Sequence, residues 1–96
     1  MSKVFLLAYG RELGTRPRIK ACLNSMPEII SWRSEIPSTF FLLSDTDAKT
    51  LAINLQKCLE AEKPRFIITE LSSETWGWLA RDSWNFLKQT QPAAKD

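Results

Sequence analysis

A small α+β domain is what this chain predicts, with two helices laid on one face of a four-stranded antiparallel sheet. Three observations lead there. The chain has 96 residues, 44% of them hydrophobic and 25% charged, the size and composition of one folded domain. Four short apolar runs alternate with two segments whose apolar residues recur at helical spacing. The second and third runs are separated by little more than a proline-containing turn, which joins them as an antiparallel hairpin. Residues 1–90 are expected to form this one domain, and residues 91–96, which carry no apolar pattern, a frayed tail.

Each element has its own signal. Lys3-Val-Phe-Leu-Leu-Ala-Tyr9 is a continuous apolar run, the mark of a strand buried on both faces, and Gly10 ends it. A polar loop from Arg11 follows, and Pro17 suits the first turn of a helix. Ile19, Cys22, Leu23 and Met26 then repeat at i, i+3, i+4 and i+7, and Pro27 stops that helix. Ile29–Ile36 reads as a strand with Ile30 and Trp32 on one face; Pro37 and Ser38 turn the chain into the strand Thr39–Leu43. Ser44-Asp45-Thr46-Asp47 supplies oxygens and negative charge to the start of a second helix. Its inner stripe is Ala48, Leu51, Ala52, Leu55, Cys58 and Leu59. Arg65–Leu71 is the fourth strand, and Trp76 to Leu87 gives a turn and a short helix rich in tryptophan.

Strands and helices in the order β-α-β-β-α-β are those of a ferredoxin-like sandwich. Both long helices then cover one sheet face, and the tryptophan-rich tail is expected on the other face or at an edge. Cys22 and Cys58 fall on the inner stripes, where the pattern reads as two free, buried thiols acting as small hydrophobes.

Composition also bounds the chemistry. The chain holds no histidine, so histidine triads, histidine-ligated zinc and imidazole acid–base steps are excluded. Two cysteines are too few for an all-cysteine zinc site, and no Gly-x-Gly-x-x-Gly or Walker lysine motif occurs. No run of 18 apolar residues is present, so no membrane partner is expected. Val4–Ala8 is too short for a secretory core, and the expected compartment is the cytoplasm.

The first strand, the hairpin around Trp32, the Ser44–Asp47 helix start and the ending Ile67-Ile-Thr-Glu-Leu71 … Gly77-Trp-Leu79 … Trp84-Asn-Phe-Leu87 together carry a resemblance. Over residues 3–88 the chain resembles small ferredoxin-like proteins related to the CRISPR adaptation nuclease subunit and the virulence-associated protein D group. The resemblance implies a homodimer set against nucleic acid or a protein complex. In the nuclease-like members an aspartate follows the tyrosine that closes the first strand and takes a metal. Here that position is Gly10, which offers no ligand, and Glu12 alone makes a poor magnesium site.

Candidate residues follow from charge and aromaticity. Residues 1–33 carry six Lys/Arg against two acids, and residues 34–96 carry seven against nine. Arg11, Arg16, Arg18, Lys20 and Arg33 are the expected binding residues, because guanidinium forks match phosphate oxygens and acidic protein surfaces alike. Trp76, Trp78, Trp84 and Phe86 are expected in tail packing or a dimer contact. Asp45 and Asp47 read as helix caps; with Glu70 and Glu74 they make no metal cluster. No catalytic residue, metal or cofactor is expected. The function expected is a non-catalytic, dimeric binding protein that docks on a nucleic-acid-processing or defence complex as inhibitor, antitoxin or accessory subunit. The alternatives are a metal-dependent ribonuclease of the resembled family, working through Glu12 or other carboxylates, and a direct nucleic-acid binder.

Overall fold

The computed structural model describes residues 2–90. The expected frayed tail, 91–96, lies outside them. Four strands, β1 (Lys3–Tyr9), β2 (Ile29–Arg33), β3 (Thr39–Ser44) and β4 (Phe66–Glu70), form one sheet in the order β2-β3-β1-β4, antiparallel throughout. Helices α1 (Arg16–Ser25) and α2 (Ala48–Leu59) form the two crossovers. A third helix, α3 (Arg81–Leu87), ends in a 3-10 turn, Lys88–Thr90.

The two central strands explain the unbroken apolar runs. On one face, Phe5 and Leu7 of β1 and Phe40 and Leu42 of β3 meet Ile19, Cys22, Leu23, Leu51, Leu55 and Leu59 of the two helices. On the other, Val4, Phe41 and Leu43 pack with Leu87, flanked by Leu6, Leu71, Leu79, Trp84 and Phe86. The sheet is thus covered on both sides over its centre, helices on one face and the returning tail on the other. Alternation along a strand sends neighbours to opposite faces, so a strand buried on both has no polar position to spare.

The helix starts follow capping chemistry. Thr15 Oγ1 accepts from the Arg18 N–H at 3.4 Å, and Asp47 accepts from the Thr50 N–H at 2.8 Å. Glu60 ends α2 in the left-handed conformation, φ 53°. Buried Ser44 donates to the Glu28 carbonyl at 2.6 Å and accepts from the Thr46 N–H at 3.1 Å, fixing the exit from β3.

Two expectations are corrected. The second strand stops at Arg33, and its phase differs from simple alternation. Ile29 pairs with Ser44 and Ser31 with Leu43, so Ile30 is an extra residue opposite none. This bulge shifts the phase by one: Ile29 and Trp32 share the helix-facing core, and Ile30 is exposed. The cysteines are not free. Cys22 and Cys58 form a disulfide with a Cα–Cα distance of 5.9 Å, linking α1 to α2. Cys22 is buried, whereas Cys58 lies at the exposed edge of its helix. Period alone placed both thiols on inner stripes; it carried no information on how closely the two helices approach side by side.

Candidate functional site

The five cations singled out by sequence do not form one patch. Arg16 and Lys20, one helical turn apart on α1, lean toward the β2–β3 hairpin. The Arg16 guanidinium donates to Ser34 Oγ at 2.7 Å and sits 5.5 Å from the Phe40 ring centroid. Lys20 Nζ lies 5.8 Å from the Trp32 ring. Trp32 packs edge-on against Phe40, and Tyr9 stacks on Phe40 from another side. Trp32 Nε1 also donates to Asn24 Oδ1 at 2.8 Å. Arg16 and Lys20 therefore roof a structural aromatic cluster, an arrangement worth about 0.5–1 kcal/mol per cation at exposed sites. Arg18 reaches the other way, to the Leu59 carbonyl at the end of α2, 3.4 Å off. Arg11 is exposed in the loop after β1.

Arg33 is on the opposite sheet face from Trp32, and its expected place in the basic surface is corrected. Its Nε donates to Ser83 Oγ at 2.7 Å. Ser83, fully buried at the start of α3, donates in turn to the Glu35 carboxylate. That carboxylate also accepts from the Ala80 N–H, at 3.2 and 3.0 Å. Ala80 is the residue that caps α3, and its own side chain caps nothing. Glu35 does so from 45 residues away. The Ser83 hydroxyl first, then the Ala80 N–H and the charge of Arg33, hold the Glu35 carboxyl below its ordinary value.

The aromatic residues divide. Trp84 and Phe86 are half-buried against the tail-side core, with Leu87 buried beside them. Trp76 and Trp78 are 84% and 90% exposed. Of the two roles expected for them, tail packing or a dimer contact, tail packing does not hold for this pair: they stand on the loop between β4 and α3, edge to face with each other at 6.0 Å. Shallow grooves run along this loop, each lined by Thr75 and Trp84. One, of about 180 Å³, is walled by Leu6, Ile36, Phe41, Leu71 and Leu79 besides the indoles. A wider, more open groove of about 440 Å³ is lined by Thr75, Trp76, Gly77, Trp78, Leu79 and Trp84.

Near Gly10, the Glu12 carboxylate folds back so that a Cβ at Gly10 would stand 2.6 Å from Glu12 Oε1. Among the described residues, no group of three or more acidic, cysteine or histidine side chains converges as metal ligands, and no helix is long and apolar enough to cross a membrane. Sequence reasoning missed the Arg33–Ser83–Glu35 network. Its partners are separated by about half the chain, and no local pattern joins them.

No family model, curated protein or solved structure matches this chain.

Proposed function

We propose that this protein is a small non-catalytic binding module whose main contact surface is the loop carrying Trp76 and Trp78. The near-complete exposure of two adjacent indoles above an apolar groove carries the reading. Tryptophan is the residue type most enriched among interface anchors, and contiguous exposed apolar surface marks interaction sites. The strand order β2-β3-β1-β4 with both crossover helices on one face supports the ferredoxin-like sandwich as the scaffold. On that scaffold the module docks on a larger assembly, a nucleic-acid-processing or defence complex, as an inhibitor, antitoxin or accessory subunit.

A second reading, direct nucleic-acid binding, draws on the cations of the α1 side, of which Arg11 and Arg18 are exposed and free of aromatic packing. Photo-cross-linking in the source cell separates the two. Benzoylphenylalanine at position 76 or 78 is expected to capture a protein, and the same group at position 11 or 18 none. Capture of nucleic acid at 11 and 18, with nothing at 76 and 78, would transfer the function to the basic face.

A further inference from the structure

Hydrogen-bonding capacity on the Trp76–Trp78 loop is one-sided. Besides Trp76, Trp78 and Trp84, the two grooves there have a single polar side chain in their walls, Thr75. Its hydroxyl already donates to the Ser72 carbonyl at 2.6 Å. The three indole N–H groups meet no acceptor among the described residues, whereas that of Trp32 is bonded to Asn24. An indole nitrogen donates and cannot accept. The side chains of this surface thus offer flat apolar rings and donors, with the Thr75 oxygen as their one acceptor.

A matching ligand brings carbonyl oxygens and few N–H groups. An ordinary extended peptide fails on the second count, because each N–H turned into an apolar groove loses its water without a replacement. Proline has no N–H, and the carbonyls of a polyproline II helix make no internal bonds and stay open to acceptance. That helix is also preformed, so docking it on an aromatic-lined groove adds little ordering cost. From this complementarity we infer that the occupant of the Trp76–Trp78 loop is a proline-rich segment of the partner in the polyproline II conformation, its rings laid on the indoles and its carbonyls accepting from their N–H groups. The inference rests on that loop being the contact surface, and it names the chemistry of what docks there. Exposure and charge agree with it. A small-molecule site encloses most of its ligand, whereas Trp76 and Trp78 stand almost fully exposed, as suits a chain lying across them. Exposed Glu74 and Asp82 are offset by exposed Arg81 and Lys88, so the surroundings favour an uncharged segment over a polyanion.

Titration of the full chain with a fluorescent decaproline peptide, followed by anisotropy and by the indole N–H signals in NMR spectra, tests the proposal. A Gly-Ser decapeptide is the control. Decaproline is expected to bind saturably and to move the Trp76 and Trp78 signals, leaving that of Trp32, already bonded to Asn24, in place. Trp78→Phe keeps a flat ring and removes one donor, so affinity should fall about fivefold, the loss of one net hydrogen bond. Trp76→Ser/Trp78→Ser should weaken binding about 30-fold or more. Neither indole takes part in a core cluster, so the far-ultraviolet spectrum should be unchanged. Indole signals that stay fixed at millimolar decaproline overturn the inference. So does equal binding of the Gly-Ser peptide, or decaproline binding that survives the double substitution. If decaproline fails while cross-linkers at 76 and 78 still capture a protein, the contact surface stands without this chemistry; capture of nothing there removes both.

Discussion

Ser83, buried at the start of α3, donates a hydroxyl hydrogen bond to the carboxylate of Glu35, in the segment between β2 and β3, and so ties the returning tail to the far edge of the sheet. The carboxyl of Glu35 is lowered from 4.5 by that bond. A carboxyl lowered by folding stabilises the native state fully above its unfolded value. That stabilisation is lost as pH falls through the lower folded value. Acidification below about 4.5 is therefore expected to loosen α3 before the helix-facing core gives way, visible as line broadening of the Ser83 and Trp84 amides in NMR spectra. Asp47 is lowered as well, chiefly by the Thr50 N–H, so acid also weakens the start of α2. Glu35→Gln separates the two: the α3 step should vanish and the α2 step remain. Ser83→Ala, which leaves Arg33 without its Ser83 acceptor and Glu35 with the Ala80 N–H alone, is expected to cost about 1–3 kcal/mol in urea unfolding.

The Cys22–Cys58 disulfide spans 36 residues of sequence. Closing a loop of that length removes unfolded-state entropy equivalent to about 3–4 kcal/mol. Urea midpoints with and without dithiothreitol should differ accordingly, and Cys22→Ala/Cys58→Ala should match the reduced protein. Equal midpoints would show that the link adds nothing beyond side-by-side helix packing. Disulfides persist in oxidising compartments. Alkylation of freshly lysed source cells, read on a non-reducing gel, thus tests the cytoplasmic expectation at the same time.

Burial separates residues that look alike in sequence. Phe40 is fully buried and touches Tyr9, Trp32 and Arg16, whereas Ile67 on the edge strand β4 is 62% exposed. Phe40→Ala is expected to cost about 3–5 kcal/mol. Ile67→Thr keeps β-branching on an exposed position and should fall within about 0.5 kcal/mol of wild type. Thermal melts of both variants check the contrast.

How far the sequence could be read follows from where each interaction lives. The central strands and both long helices were legible because their signals are local: an apolar run for a strand covered twice, a repeat of 3.6 for a helix covered once. The tail's place on the second sheet face followed from its aromatic content, since Trp84 and Phe86 need cover. Three features were not legible. The bulge at Ile30 turns on pairing with Ser44 and Leu43, which lie in another strand. The disulfide turns on the distance between two helices. The different fates of Trp78 and Trp84, six residues apart, turn on where the loop stops and α3 begins. Of the basic residues, proximity in sequence grouped Arg16, Arg18 and Lys20, but successive helical positions point in different directions, and the fold assigns two of them to aromatic rings.

That division changes which cations can report on binding. Arg16→Glu would break the bond to Ser34 and set a carboxylate against the Phe40 ring, so a loss of binding would not be separable from a loss of fold. Arg11 and Arg18 are exposed, and Arg18 makes only a long bond to the Leu59 carbonyl. Arg11→Glu/Arg18→Glu is therefore the informative variant. If the Trp76–Trp78 loop is the contact surface, this double reversal should leave partner affinity within about threefold of wild type, less than 1 kcal/mol. Binding should then change little between 50 and 200 mM salt. Phosphate recognition gives the opposite result, because each neutralised phosphate releases counterions and steepens the salt dependence. Surface plasmon resonance of wild type and variant at the two salt concentrations, against the cross-linked partner, would falsify the indole-centred reading if the reversal abolished binding and the wild-type slope were steep.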